Sequence, residues 1–269
     1  MSQRPSPPSR NTPPAVQKLR VRYAKRGRMR FASHRDFQRA LERALRRAGV
    51  PMAYSAGFSP HPKISYAGAA PTGAASEAEY VELGVTTRLE PRAVRDLLDA
   101  ALPDGLDILE VVEARGDSAL SDRLEASLWE IEFPAEVAGQ LEAAAQAFLT
   151  QEAVQVDRLT KSGRRTFDIR PAILRMTVPE TNAPNGEVSA PGSGGSRGCG
   201  PPCAILQVVV RHGTPAVRPD DVLAGLRLAS GLELQPLRAT RRAQGPWDEV
   251  SGTVGDPLAP DRDAAVTAL

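Results

Sequence analysis

Cysteine, histidine and aromatic residues are all scarce in this chain, and each shortage narrows what it can do. Two cysteines in 269 residues, Cys199 and Cys203, cannot build a disulfide framework, and no third cysteine completes a cluster or zinc spacing. Three histidines leave little for a metal centre; His34 and His61 with Asp36, Glu77 and Glu79 are the available donors, and no pair of them has a diagnostic ligand spacing. Aromatics make up 4% of the residues, so base stacking has few platforms. No apolar run approaches the roughly 20 residues that span a bilayer. The opening MSQRPSPPSRNTPP lacks the apolar core of a secretory signal, so a cytoplasmic chain with a disordered leader over 1–17 is expected. Gly-rich phosphate loops, nucleophile elbows and dinucleotide fingerprints are missing too, and no cofactor is expected.

What the chain has is charge, unevenly placed. Its formal net charge is only +2, yet residues 1–47 hold 14 Lys/Arg against two acids, and residues 76–136 hold 16 Asp/Glu against five Arg. Such polarity suits a basic face that meets a polyanion and an acidic face that docks a basic partner. A dipolar, merely solvated surface is the plainer reading of the same numbers.

Hydrophobic periodicity organises the chain into two halves. LRVRYAKRGRMRF (19–31) alternates and predicts a strand, a turn near Gly27 and a short continuation. Ser33 stands three residues before Asp36 as in a capping box, and Phe37, Ala40, Leu41, Ala44, Leu45 and Ala48 follow at helical spacing up to Gly49. Short strands over 50–54 and 64–67, a strand over 79–85, a helix from Pro91 and a strand over 106–112 complete a β-α-β-β-α-β order. The second half repeats it: strand 128–133, helix 134–149, a hairpin over 154–169, strands 173–178 and 204–211, helix 219–229 and strand 236–242. An α+β fold of two tandem ferredoxin-like units with antiparallel sheets is expected, one over 18–115 and one over 125–245. The Gly/Pro/Ser-rich segment 180–203 reads as a flexible insert and 248–269 as a loose tail.

The run from Phe31 to Tyr80 is the strongest site signal. GFSPHPK (57–63) cannot be a central strand, because each proline removes a donor and restricts its predecessor, so it is an ordered surface loop. Arg35, Arg39, Arg43 and Arg46 recur along one side of the preceding helix, a spacing that could set guanidinium groups against successive phosphates or simply make a solvated helix face. The basic strand residues Arg20, Arg22, Lys25, Arg28 and Arg30 extend the patch. The expected RNA-binding set is Arg30, Ser33, His34, Arg35, Arg39, Arg43 and Arg46, with Ser59, His61 and Lys63 from the loop. Glu77, Glu79 and Glu82 alternate along a strand and are the candidates for meeting a protein partner. His34, at a helix start that favours the neutral ring, and His61 could instead form an acid–base pair that cleaves RNA without metal.

FASHRDFQRALERALRRAG (31–49) followed by GFSPHPKISYAGAAPTGAASEAEYVEL (57–83) resembles a bacterial radical-SAM-associated (radical SAM-linked) protein family of unknown function, domain of unknown function 2344. Ser33, His34, Asp36, Arg46, Arg47, Ala48, residues 57–63, Gly73, Ser76, Glu77, Glu79 and Tyr80 carry the resemblance, and SGRRTFDIRP (162–171) extends it more weakly. It implies a partner, a radical SAM protein encoded nearby. The cysteine pattern shows that this chain is not the radical enzyme. Three readings follow: an accessory subunit that presents transfer or ribosomal RNA to that partner, an endoribonuclease using His34 and His61, and a protein-interaction module without nucleic acid.

Overall fold

A computed structural model of the chain describes residues 13–56, 58–116, 118–160, 163–179 and 203–266. The leader to residue 12, Cys199 and nearly all of the segment expected as a flexible insert lie outside the described residues. The fold is α+β, with a mostly antiparallel sheet and five α-helices among the described residues. Two compact units form, one from Met1–Leu124 with Asp256–Leu269 and one from Glu125–Gly255.

In the first unit, β1 (Gln17–Lys25) points Leu19, Val21 and Tyr23 at one face and ends at Gly27, whose φ of +52° starts a 3-10 turn over Gly27–Phe31. The expected strand continuation is therefore a turn. The helix α1 (His34–Arg47) begins where the Ser33/Asp36 pair predicts and buries Phe37, Ala40, Leu41, Ala44 and Leu45. Gly49, in the left-handed region at φ +66°, ends it. No strand forms over 50–54: with Pro51, Pro60 and Pro62 breaking the ladder, only single bridges Met52↔Val85 and Tyr54↔Pro62 remain.

Then follow β2 (Ile64–Ala67), β3 (Ala75–Val85), α2 (Pro91–Ala101) and β4 (Leu106–Glu113). Pro91 opens α2 and Glu90 caps it, accepting from the Ala93 N–H at 2.7 Å. The strands lie in the order β4-β1-β3-β2, every neighbouring pair antiparallel. Leu19, Val21, Val81, Leu83 and Ile108 pack with Leu41, Leu45, Val94 and Leu98 of the helices. The alternate residues Ala78, Tyr80 and Val112 pack with Leu120, Leu124 and Leu258 on the opposite face. Burying each such Leu or Val contributes about 1.5–3 kcal/mol, so both faces help to hold the sheet.

Leu258 comes from the stretch expected to be a loose tail. That stretch is instead structured through residue 266: β11 (Trp247–Asp248) pairs with β12 (Thr253–Val254), and α5 (Ala259–Val266) packs against β4. Asp261 explains the attachment, since it meets a guanidinium that β1 buries completely.

In the second unit β5 (Ala126–Pro134) leads through a 3-10 turn to α3 (Ala138–Leu149), which starts four residues later than expected. The hairpin β6 (Gln155–Thr160) and β7 (Gly163–Asp168) is a sheet of its own. β8 (Ile173–Thr177), β9 (Cys203–Arg211), α4 (Pro219–Ser230) and β10 (Arg238–Gly245) follow, and the strand order is β10-β5-β9-β8 with antiparallel neighbours. Gly231, at φ +72°, terminates α4.

Candidate nucleic-acid interface

The start of α1 is fixed by two reciprocal bonds. The Ser33 hydroxyl oxygen accepts from the Asp36 N–H at 3.2 Å, and the Asp36 carboxylate accepts from the Ser33 N–H at 3.2 Å and from its hydroxyl at 2.6 Å. Those bonds, first the side-chain one, hold the Asp36 carboxyl below its usual range. Ser33 is thus engaged as a cap. His34 follows as the first helical residue, its Nε2 lying 3.1 Å from Gln38 Nε2 and its ring edge-on to Tyr66 with centroids 5.0 Å apart.

Downstream, helical spacing turns one side of α1 outward. Arg35, Arg39, Arg43 and Arg46 are all exposed, and none makes a salt bridge or side-chain hydrogen bond among the described residues. Arg47 differs, donating to the Ala101 carbonyl at 3.3 Å. Arg35 and Arg39 act on the Asp36 carboxylate only through space, so all four guanidinium groups on this helix face keep donors for an anion.

The SPHP loop is ordered from both ends. Ser55 N–H donates to the His61 carbonyl at 2.8 Å, His61 N–H returns to the Ser55 hydroxyl at 3.0 Å, and Lys63 N–H donates to the Ala53 carbonyl at 2.7 Å. The Gly84 N–H donates to the Lys63 carbonyl at 2.9 Å, which ties the loop to the edge of β3. A Cβ at Gly84 would stand 3.2 Å from the Lys63 Cβ and 3.3 Å from the Ala15 Cβ, so one of them would have to give way by a few tenths of an ångström. Ser59, His61 and Lys63 stay exposed.

Helix and loop meet at a shallow groove lined by Glu42, Leu45, Arg46, Val50, Met52, Tyr54 and Pro62. The loop therefore stands beside the C-terminal half of α1, and Arg46 belongs to both. Of the aromatics in this region, Tyr23 is buried and stacks on Phe37 at 4.2 Å, and Tyr66 is half-buried. Phe31, Tyr54 and Phe58 remain exposed, Phe58 at 94%. Lone phenylalanines in polar loops are the sequence signal for these positions.

Other expected residues are placed differently. Arg20 is 0% exposed and Lys25 is buried, while Arg22 donates to the Glu77 carbonyl at 2.9 Å, so β1 does not extend the cationic patch. A strand covered on both faces leaves no free side for basic residues. Arg30 is half-buried, its guanidinium 4.6 Å over the Phe31 ring, and its Nε is buried with no hydrogen-bond partner among the described residues. Glu77 binds Arg26 in a two-pronged pair, and Glu82 accepts from Arg20 at 3.0 Å. Glu79 is 2% exposed and accepts from the Ala70 N–H at 3.1 Å, so it offers no surface to a partner.

No hydrogen bond or ring contact joins His34 to His61 among the described residues. Nor do three or more His, Cys, Asp or Glu side chains gather there as metal ligands. No helix among these residues is long and apolar enough to cross a membrane.

A protein-family model described as "Uncharacterized protein conserved in bacteria (DUF2344)" matches residues 18–219. No curated protein matches the chain.

Proposed function

The chain belongs to this uncharacterised family conserved in bacteria, and we propose that it binds RNA through the outer face of α1 and the SPHP loop. The observation that carries the reading is the unpaired set Arg35, Arg39, Arg43 and Arg46 on one exposed helix face. Surface arginines elsewhere, such as Arg26, Arg88, Arg95 and Arg262, find carboxylates within the chain. Phosphates are the ligands that such a row suits, since each guanidinium offers a planar fork of donors. Tyr54, which lines the groove with Arg46, and the exposed Phe58 of the loop add apolar faces on which unstacked bases rest. Single-stranded or looped RNA fits that mixture better than a duplex.

The strand orders β4-β1-β3-β2 and β10-β5-β9-β8 support reading each unit as ferredoxin-like. The radical SAM partner rests on the resemblance alone: in that reading the chain is an accessory subunit that holds transfer or ribosomal RNA while the partner modifies it. The endoribonuclease reading draws no support from the arrangement of His34 and His61.

Salt-titrated binding of the intact chain to total small RNA tests the proposal, with Arg39→Glu/Arg43→Glu in parallel. Affinity should fall steeply with salt, and the double variant should bind at least about tenfold more weakly and flatten the logarithmic salt slope by about 1.4, or about 0.7 per neutralised phosphate. Unchanged affinity in the variant would overturn the assignment to α1. Cleaved RNA in the bound fraction, persisting in EDTA and absent with His34→Ala, would replace it with the nuclease.

A further inference from the structure

The ribbon β6–β7 has no share in the interface on α1 and none in the four-stranded order of its own unit. A two-stranded ribbon is marginal by itself in water. This one is pinned at its base. Val156 is buried, and the Asp168 carboxylate accepts from the Val154 and Arg170 N–H groups at 2.8 and 3.0 Å. Arg158 reaches across to α4, binding the Asp221 carboxylate with two nitrogens and donating to the Ala216 carbonyl at 2.8 Å, with its guanidinium 4.8 Å above the Phe167 ring.

Beyond that anchor the ribbon changes character. Leu159 is 85% exposed, Arg164 and Arg165 are both exposed, and Gly163 opens the second strand at φ +114°. Cross-strand register places Arg164 opposite Leu159, and Arg165 opposite the anchoring Arg158. Neighbours on a strand point to opposite faces, so these two arginines offer guanidinium groups on both sides of a narrow ribbon. Only Asp157, 3.5 Å from Arg164, counters them among the described residues. The outer half of the ribbon thus sets an exposed leucine among guanidinium groups.

We propose that this ribbon is a second RNA-contacting element: Arg164 and Arg165 each take a backbone phosphate, Leu159 lies against a sugar or base, and Arg158 is the positioning residue that fixes the foot of the ribbon. The inference rests on the RNA-binding reading but uses none of its residues. Arginine forks match phosphate oxygens, and a two-stranded ribbon is slender enough to run along a nucleic-acid backbone.

The test uses the intact chain, a labelled mixed-sequence single-stranded RNA and two charge-reversed variants, Arg164→Glu/Arg165→Glu and Arg39→Glu/Arg43→Glu. Thermal melting by circular dichroism should be unchanged in the ribbon variant, since both arginines are exposed. Its RNA affinity should fall at least about tenfold, with the logarithmic salt slope reduced by about 1.4, or about 0.7 for each phosphate that the variant no longer neutralises. Weakened binding in the helix variant alone would overturn the ribbon assignment and leave α1 standing. Weakened binding in the ribbon variant alone would support the ribbon and overturn α1. Absence of binding by the unaltered chain would overturn both.

Discussion

Tyr66 shows how one residue joins the core to the site. Its ring lies 6.0 Å from Phe37 and 5.0 Å from His34, so the aromatic that steadies the helix also sets the histidine's edge. Burial, and then the Glu42 carboxylate, push the Tyr66 hydroxyl up to about 12. An unfolded tyrosine ionises near 10, so this contribution to stability is fully present below about pH 10 and is lost as the pH rises through 12. Ultraviolet titration of the phenolates should therefore show a step near 12 that Tyr66→Phe removes. A titration in which Tyr66→Phe removes an ordinary step near 10 would show that the ring is not shielded. The site residues around it divide by length: short Ser33 and Asp36 satisfy the helix start, and the long arginines beyond reach solvent.

Among the elements, α1 was the most legible, because its cap, its stripe of apolar residues and its terminal glycine all agree. The SPHP loop was legible as a loop, though not its docking against β3, where the Ala53 N–H donates to the Gly84 carbonyl and the Gly84 N–H to the Lys63 carbonyl. Packing of α3 on α4 hinges on a residue with no side chain. A Cβ at Gly225 would stand 2.7 Å from Ile169, 2.8 Å from Phe148 and 3.1 Å from Val154. Gly225→Ala, though favourable for an isolated helix, should cost about 1–3 kcal/mol through overpacking, and urea unfolding will measure it. A gain in stability would show that these three side chains can give way.

Over the whole molecule, the segment after Gly255 returns to the first unit and completes it. Arg20 donates to Asp261 at 2.7 and 3.0 Å, to Glu82 at 3.0 Å and to the Ser118 carbonyl, and Arg123 adds a bond to Asp261 at 2.7 Å. Burial alone would raise the Asp261 carboxyl, yet the Arg115 N–H and the two guanidinium groups outweigh it and hold the group below its ordinary value. Its contribution is present above the unfolded value near 3.9 and is lost as the pH falls through the lower folded value. Asp261→Asn should destabilise the first unit by about 3–5 kcal/mol at neutral pH, because it strands a buried guanidinium, and should remove part of the loss on acidification. Melting curves from neutral to acid pH will check both, and a variant as stable as the parent would show that Glu82 and Ser118 suffice for Arg20.

Sequence alone determined what depends on near neighbours. Caps, helical stripes, the β-α-β-β-α-β order over residues 17–113 and the arginine row all follow from spacings of a few residues, and the hairpin over 155–168 was visible as alternation around a turn. Tertiary structure decided which charges are free. Arg20 and Arg39 look alike along the chain, yet one is buried against a carboxylate 241 residues away and the other faces solvent without an ion pair among the described residues. The same holds for Glu79, which alternation marks as part of an acidic face and which the loop at Ala70 covers. An ion pair is fixed by where two distant backbones bring their side chains, and no local pattern records that.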